Sequence, residues 1–207
     1  MLERLGSPLE HEHRDPEVEI KVLCDCMAKS WLPLTANEAS EWGLMSGAEK
    51  AQWHIDFLTQ QVNDPSNVCP MRTIEMAIAY ARSRKNAHSP NSAVLIHGDA
   101  HSLNTLLDKE GAYKFIDPDG LFAERACDLS IPMREYNESL LDGDVKVNAL
   151  RRCERLSQAT NVEPQGIWEW GFVERVSTAF VLADVGMHEE SEATFAVAHQ
   201  INSQVHW

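Results

Sequence analysis

The chain has 207 residues, 43% of them hydrophobic and 24% charged, with 32 acidic side chains against 18 Lys and Arg and a formal net charge of -14. That length supplies one sizeable core in a globular chain and argues against two independent domains. The charge disfavours nucleic-acid binding, no apolar run reaches the roughly 20 residues of a bilayer span, and the acidic start with Glu3, Glu10 and Glu12 lacks the features of a secretory signal. A cytoplasmic protein that binds neither nucleic acid nor membrane is expected.

In chain order, Pro16 to Lys29 reads as a helix, with Asp15 as N-cap, Pro16 at the first position, and Val18, Val22 and Met27 near helical spacing. Ser46 to Val62 opens on a capping box, Ser46 with Glu49, and carries Trp53, Phe57 and Leu58 on one side. Met71 to Arg84 is a third helix, ending before Asn86 and Pro90. Ser92 to Ile96, Thr105 to Leu107 and Tyr113 to Ile116 are short apolar runs, with Lys109-Glu-Gly111 as a turn between the last two, and so predict a strand followed by a hairpin. Phe122 to Leu141, Val145 to Ala159, Pro164 to Leu182 and Glu189 to Ser203 are helical by pattern, broken at Gly143, Asn161 and Gly186. The fold class is α+β, mostly helical, with one small hairpin among helices.

Cysteine usage is uninformative about chemistry. Five cysteines without regular spacing argue against a disulfide scaffold. Cys24-Asp-Cys26 and His11-Glu-His13 invite a zinc reading, but zinc pairs use longer spacers, and i and i+2 on a helix point about 200° apart. Buried thiols and surface histidines are the expectation.

The chemistry concentrates in His97-Gly-Asp-Ala-His-Ser-Leu-Asn104 and Phe115-Ile-Asp-Pro-Asp-Gly120. Asp99 and Asn104 fall on one loop and Asp117 leaves the end of the following strand, so all three face one cleft. A carboxylate there can take a proton from a substrate hydroxyl, while an amide oxygen and a second carboxylate share Mg2+ that bridges phosphate oxygens.

The two segments resemble the H-G-D-x-H-x-x-N motif and metal-binding loop of aminoglycoside phosphotransferases, small-molecule kinases with the protein-kinase fold. Asp119 to Glu124, Ala126 to Leu129, Met133 to Glu135 and Trp170 to Ser177 resemble the streptomycin kinase branch, also called aminoglycoside or hydroxyurea resistance kinases; the matched segments run in family order from the first residues to about Ser177. The resemblance implies Asp99 as catalytic base, Asn104 and Asp117 as Mg2+ ligands, and His97 as a brace of the loop. His101 matches a second motif histidine and is read as packed or one step from the chemistry. Asp119 is either a metal or water contact or half of an Asp-Gly turn. Asp128, in a helical stretch, needs hydrogen bonds from the catalytic loop to be buried, and is assigned to bracing it.

Met1 to Leu9 resembles the family's last N-lobe strand running into the hinge, where Glu3 and Leu5 would meet the base of ATP or GTP; Gly6 is equally read as a turn glycine. No glycine-rich phosphate loop or strand lysine precedes the catalytic loop, so residues 1–9 are expected to be the remnant of an N-lobe and 10–207 the C-terminal lobe of a kinase-like fold, with Met71 to Arg84 as the support under the loop. The expected reaction is ATP- and Mg2+-dependent phosphorylation of a hydroxyl on a small cationic molecule such as streptomycin, with inactivity of this chain alone, for want of the nucleotide-binding N-lobe, as the open alternative. Glu135, Trp168, Glu169, Glu174 and Trp170 are candidates to hold that acceptor by charge and stacking, against packed tryptophans and a Glu174-Arg175 surface pair. Two rivals remain: a metal-dependent hydrolase using His97, Asp99, His101 and Asp117, and a non-catalytic ligand-binding remnant. The oligomeric state is open.

Overall fold

Asp15 accepts from the Glu17 amide at 2.8 Å and Pro16 takes the first helical position, so α1 (Pro16–Ser30) begins where cap chemistry puts it. The computed structural model describes residues 5–12, 15–62 and 69–202. A short strand β1 (Leu32–Pro33) follows, then α2 (Ala36–Glu41), opened by a Thr35/Glu38 capping box, and β2 (Met45–Ser46). Ser46 and Glu49 close the second capping box, with the Glu49 amide 3.2 Å from Ser46 Oγ and the Ser46 amide 2.8 Å from Glu49 Oε2. That box starts α3 (Gly47–Val62), and α4 (Met71–Ala87) comes next.

Strands β3 (Val94–Ile96), β4 (Thr105–Leu107), β5 (Tyr113–Phe115) and β6 (Leu121–Ala123) complete the β content. β4 and β5 pair antiparallel, Thr105 opposite Phe115, and Gly6 to Pro8 runs along the free edge of β4, the Gly6 amide donating to the Leu107 carbonyl at 2.7 Å. The other four strands form a second sheet in the order β1-β3-β6-β2, with β2 parallel to β6 and the other pairs antiparallel. This sheet corrects the expectation of a lone hairpin among helices. Its outer strands have two residues each, too short for alternation to register.

The remaining helices are α5 (Arg125–Asp128), α6 (Ser130–Arg134), α7 (Asn137–Leu141), α8 (Val145–Thr160), α9 (Pro164–Asp184) and α10 (His188–Ile201). Phe122 to Leu141, read as one helix, is thus a strand and three short helices. Phe122 belongs to β6, and the chain turns at Tyr136, whose φ of 57° is left-handed.

The helix enclosed on every side is α9: every residue from Gly166 to Ser177 is buried, among α3, α4, α5, α6, α8 and α10. Trp168 and Trp170 are therefore both buried, at 2% and 1% exposure, although i and i+2 point apart. Close approach to α6 demands a glycine on α9. A Cβ on Gly171 would stand 2.3 Å from Met133 Cγ.

On α1, Leu23, Cys24 and Met27 face the core while Val18 is exposed. Cys26 points elsewhere, its thiol donating to the Tyr113 carbonyl at 3.5 Å, and all five cysteines are buried and unbridged. Among the described residues no helix is long and apolar enough to cross a membrane.

Candidate active site

β3 delivers the chain into the His97–Asn104 loop, and β5 delivers it into the Asp117–Gly120 loop. The two loops are tied directly. His97 Nε2 lies 3.0 Å from the Ile116 carbonyl, the Gly120 amide donates to the His97 carbonyl at 3.0 Å, and the Ile116 amide donates to the Asn104 carbonyl at 2.9 Å. Gly98 permits the approach: its φ is +88°, and a Cβ there would stand 3.0 Å from Asp119 Cβ and 3.2 Å from Leu121 Cγ.

Beneath the loop sits Asp128, fully buried at the C-terminus of α5. Its carboxylate accepts from the Gly98 amide at 2.8 Å, the His97 amide at 3.3 Å and Trp31 Nε1 at 2.8 Å. Burial raises its pKa, and the three donors offset that only in part.

Asp99 is held from three sides. Asn104 Nδ2 donates to its carbonyl at 3.1 Å and to its Oδ2 at 3.3 Å, His101 Nε2 stands 3.3 Å from the same oxygen, and an Arg134 Nη lies 3.8 Å from Oδ1. The His101 contact holds the Asp99 carboxyl below its ordinary range against the opposing effect of burial, helped by the His101 and Arg134 charges; Asp99 raises His101 in return. Asn104 spends its amide nitrogen on Asp99, leaving Oδ1 free of hydrogen bonds among the described residues.

Asp117 is exposed, in a left-handed conformation with φ of 55°, and Asp119 is exposed beside it. An amide oxygen and a carboxylate are a donor set for a hard cation that keeps water and phosphate oxygens as its remaining ligands. No group of three or more His, Cys, Asp or Glu side chains able to hold a metal ion gathers among the described residues, which include Cys24, Cys26 and His11. His97 uses both ring nitrogens, Nε2 toward the Ile116 carbonyl and Nδ1 as acceptor from the Asp99 amide at 3.2 Å, so neither is left for a metal.

His101 and Arg134, the two basic contacts of Asp99, line a groove of about 960 Å³ that Glu10, Glu19, Glu135, Glu138 and Glu190 also line. Glu19 is engaged by the Tyr136 hydroxyl at 2.9 Å and Glu135 by Arg134 at 3.1 Å, whereas Glu10, Glu138 and Glu190 form no ion pair among the described residues.

Of the acceptor candidates, Glu135 lines this groove; Trp168, Glu169, Trp170 and Glu174 do not. Glu169 is buried against Arg84 at 2.6 Å, and the Trp170 indole donates to Glu124 at 2.8 Å, because both belong to the enclosed face of α9. Glu174 and Arg175 are not a surface pair. Both are buried, and Glu174 contacts His54 at 3.1 Å, Lys50 at 3.4 Å and Arg134 at 3.3 Å. Burial alone would raise the Glu174 carboxyl, but these cations hold it far below the carboxylate range.

Glu3 lies outside the described residues, as does His13, and Leu5 is partly buried at the start of the segment that runs along β4. Sequence reasoning missed Arg134, which links Glu174 to Asp99, and Trp31, which completes the Asp128 site. The signal for Arg134 was its place in the Met133-Arg-Glu135 match; Trp31 carried none.

No individual curated protein matches the chain. The family profile described as aminoglycoside/hydroxyurea antibiotic resistance kinase matches residues 2–186, most of the 207. With that coverage and the two loops joined around Asp99, the chain belongs to the aminoglycoside/hydroxyurea antibiotic resistance kinase family.

Proposed function

We propose that the chain is the acceptor-binding and metal-binding lobe of a kinase-like fold that transfers the γ-phosphoryl group of ATP or GTP to a hydroxyl of a small cationic molecule of the streptomycin kind. The observation that carries this reading is that Asp99, joined to Asn104 and tied through His97 to the Asp117 loop, contacts His101 and Arg134, which line a groove bearing five glutamates. Three of those carboxylates have no ion-pair partner among the described residues, which suits a polycationic ligand better than hydroxyurea, small and uncharged.

In this reading Asp99 orients the acceptor hydroxyl and takes its proton, and its lowered pKa keeps it ionised to do so. Asn104 Oδ1 and the Asp117 carboxylate would hold Mg2+ arriving with the nucleotide, and the ion would supply neutralisation of phosphate charge. His97 and Asp128 fix the loop from below, and Arg134 orients Asp99 from the groove side. The dinuclear hydrolase has less support, because His97 would have to abandon two hydrogen bonds to ligate a metal.

Mn2+ binding in the presence of ATP tests the metal assignment. Paramagnetic broadening is expected at the amides flanking Asn104 and Asp117 and is expected to vanish in Asn104→Ala/Asp117→Ala. Broadening centred elsewhere, or unchanged in the double variant, would remove these two residues from the site.

A further inference from the structure

One wall of the groove is the corner between α6 and α7, which presents Arg134, Glu135 and Tyr136. Here the chain leaves helical geometry, so the carbonyls of Met133, Glu135 and Tyr136 need partners from elsewhere. Two buried arginines supply them from behind, joined at the Tyr136 carbonyl by the Ser139 hydroxyl, which donates to it at 2.9 Å. Arg175, 1% exposed, donates to the Met133 carbonyl at 2.8 Å and to Asn137 Oδ1. Arg152, 4% exposed, donates to the Glu135 carbonyl, to the Tyr136 carbonyl at 3.4 Å and to Ser139 Oγ at 2.6 Å, with its guanidinium 5.8 Å from the Tyr136 ring centre.

Neither guanidinium lines the groove, and among the described residues neither forms an ion pair with a carboxylate. Arg152 Nε has no hydrogen-bond partner among the described residues. Burial brings Arg152 down to about 10, and burial with the neighbouring Arg152 charge brings Arg175 down to about 9. Two buried like charges are a costly way to fill space that apolar side chains would fill more stably. What a guanidinium adds is a rigid fork of donors that can hold several carbonyls at once.

We propose that Arg152 and Arg175 are positioning residues for the acceptor: by clamping the carbonyls of Met133, Glu135 and Tyr136 they fix the groove wall, and with it the acceptor's placement against Asp99. The inference rests on the acceptor reading of the groove. They touch neither acceptor nor reacting atoms. Their effect passes through Glu135, Tyr136 and Arg134.

Calorimetric titration of streptomycin into the wild-type chain, Arg152→Met, Arg152→Lys, Arg175→Met and Ser139→Ala separates affinity from the fraction of chains able to bind. A purely structural role lowers the binding stoichiometry and leaves the Kd of folded chains unchanged. The clamp predicts full stoichiometry with Kd about tenfold higher in the two methionine variants and about threefold higher in Ser139→Ala. Arg152→Lys, which keeps charge but not the fork, should bind as weakly as Arg152→Met, and full rescue by lysine would overturn the clamp. If the methionine variants do not fold, Ser139→Ala decides, because Ser139 is exposed and lies outside the groove. Wild-type Kd in the folded variants overturns the positioning role alone, whereas no binding by the wild-type chain overturns the acceptor reading and this inference with it.

Discussion

Replacing Asp128 by alanine removes the acceptor shared by the Gly98 amide, the His97 amide and the Trp31 indole. Each buried donor left unpaired costs about 1–3 kcal/mol. Trp31 is partly exposed and regains water, and deleting a carboxylate disfavoured by burial returns part of the loss. The net destabilisation expected is about 2–4 kcal/mol, the range for removing one partner from a buried polar network. Urea unfolding with the variant and wild type in parallel measures it; at a slope of about 2–3 kcal/mol per molar, the midpoint should fall by about 1 M. Trp31→Phe, which removes one donor and leaves Asp128 two partners, should cost about 1 kcal/mol. The double variant should cost less than the sum, because both changes remove the same contact. A loss under about 0.5 kcal/mol for Asp128→Ala, the range of a change away from any such network, would refute the claim that this carboxylate holds the His97–Asn104 loop.

Three further outcomes follow from the geometry. The Asp99–His101 contact stabilises the fold fully between about pH 4 and about pH 6.5, the unfolded values of the two groups. Its contribution is lost as pH falls through the depressed Asp99 pKa or rises through the raised His101 pKa, and at this exposure is worth under about 1 kcal/mol. NMR titration should show the His101 pKa falling in Asp99→Asn; an unmoved value would deny the coupling. Gly171→Ala forces a Cβ into Met133 and should destabilise by about 1–3 kcal/mol, lowering Tm by several degrees. An unchanged melting curve would show that α9 and α6 tolerate separation.

Legibility tracked the strength of local chemistry. The Asp15 and Ser46/Glu49 caps began their helices where side-chain acceptors meet orphan amides, and β4 and β5 followed from apolar runs flanking a turn. β6 was hidden because a three-residue apolar run has no period of its own, and its partners β2 and β3 are set by long-range pairing. The corner at Tyr136 was invisible, since a tyrosine gives no sign of a left-handed turn that glycine or asparagine would announce. Trp168 and Trp170 misled because amphipathic logic assumes one wet face, and α9 is buried along most of its length. At the site, the spacing of Asp99, Asn104 and Asp117 on two adjoining loops was readable from motif and hairpin alone. The cations that set the local field, Arg134 and Lys50, were not, because their common partner Glu174 is more than 30 residues from either in the chain.

The most direct test is transfer of labelled γ-phosphate from ATP to streptomycin in the presence of Mg2+, measured for wild type and Asp99→Ala after each has been completed with a nucleotide-binding N-lobe. A phosphorylated acceptor is expected with the completed wild type, and a rate about 100- to 10,000-fold lower with the completed Asp99→Ala, the contribution of a positioned general base. Equal rates from the two would contradict the assignment of Asp99, and streptomycin binding without any transfer would favour a ligand-binding lobe with no phosphotransferase activity of its own.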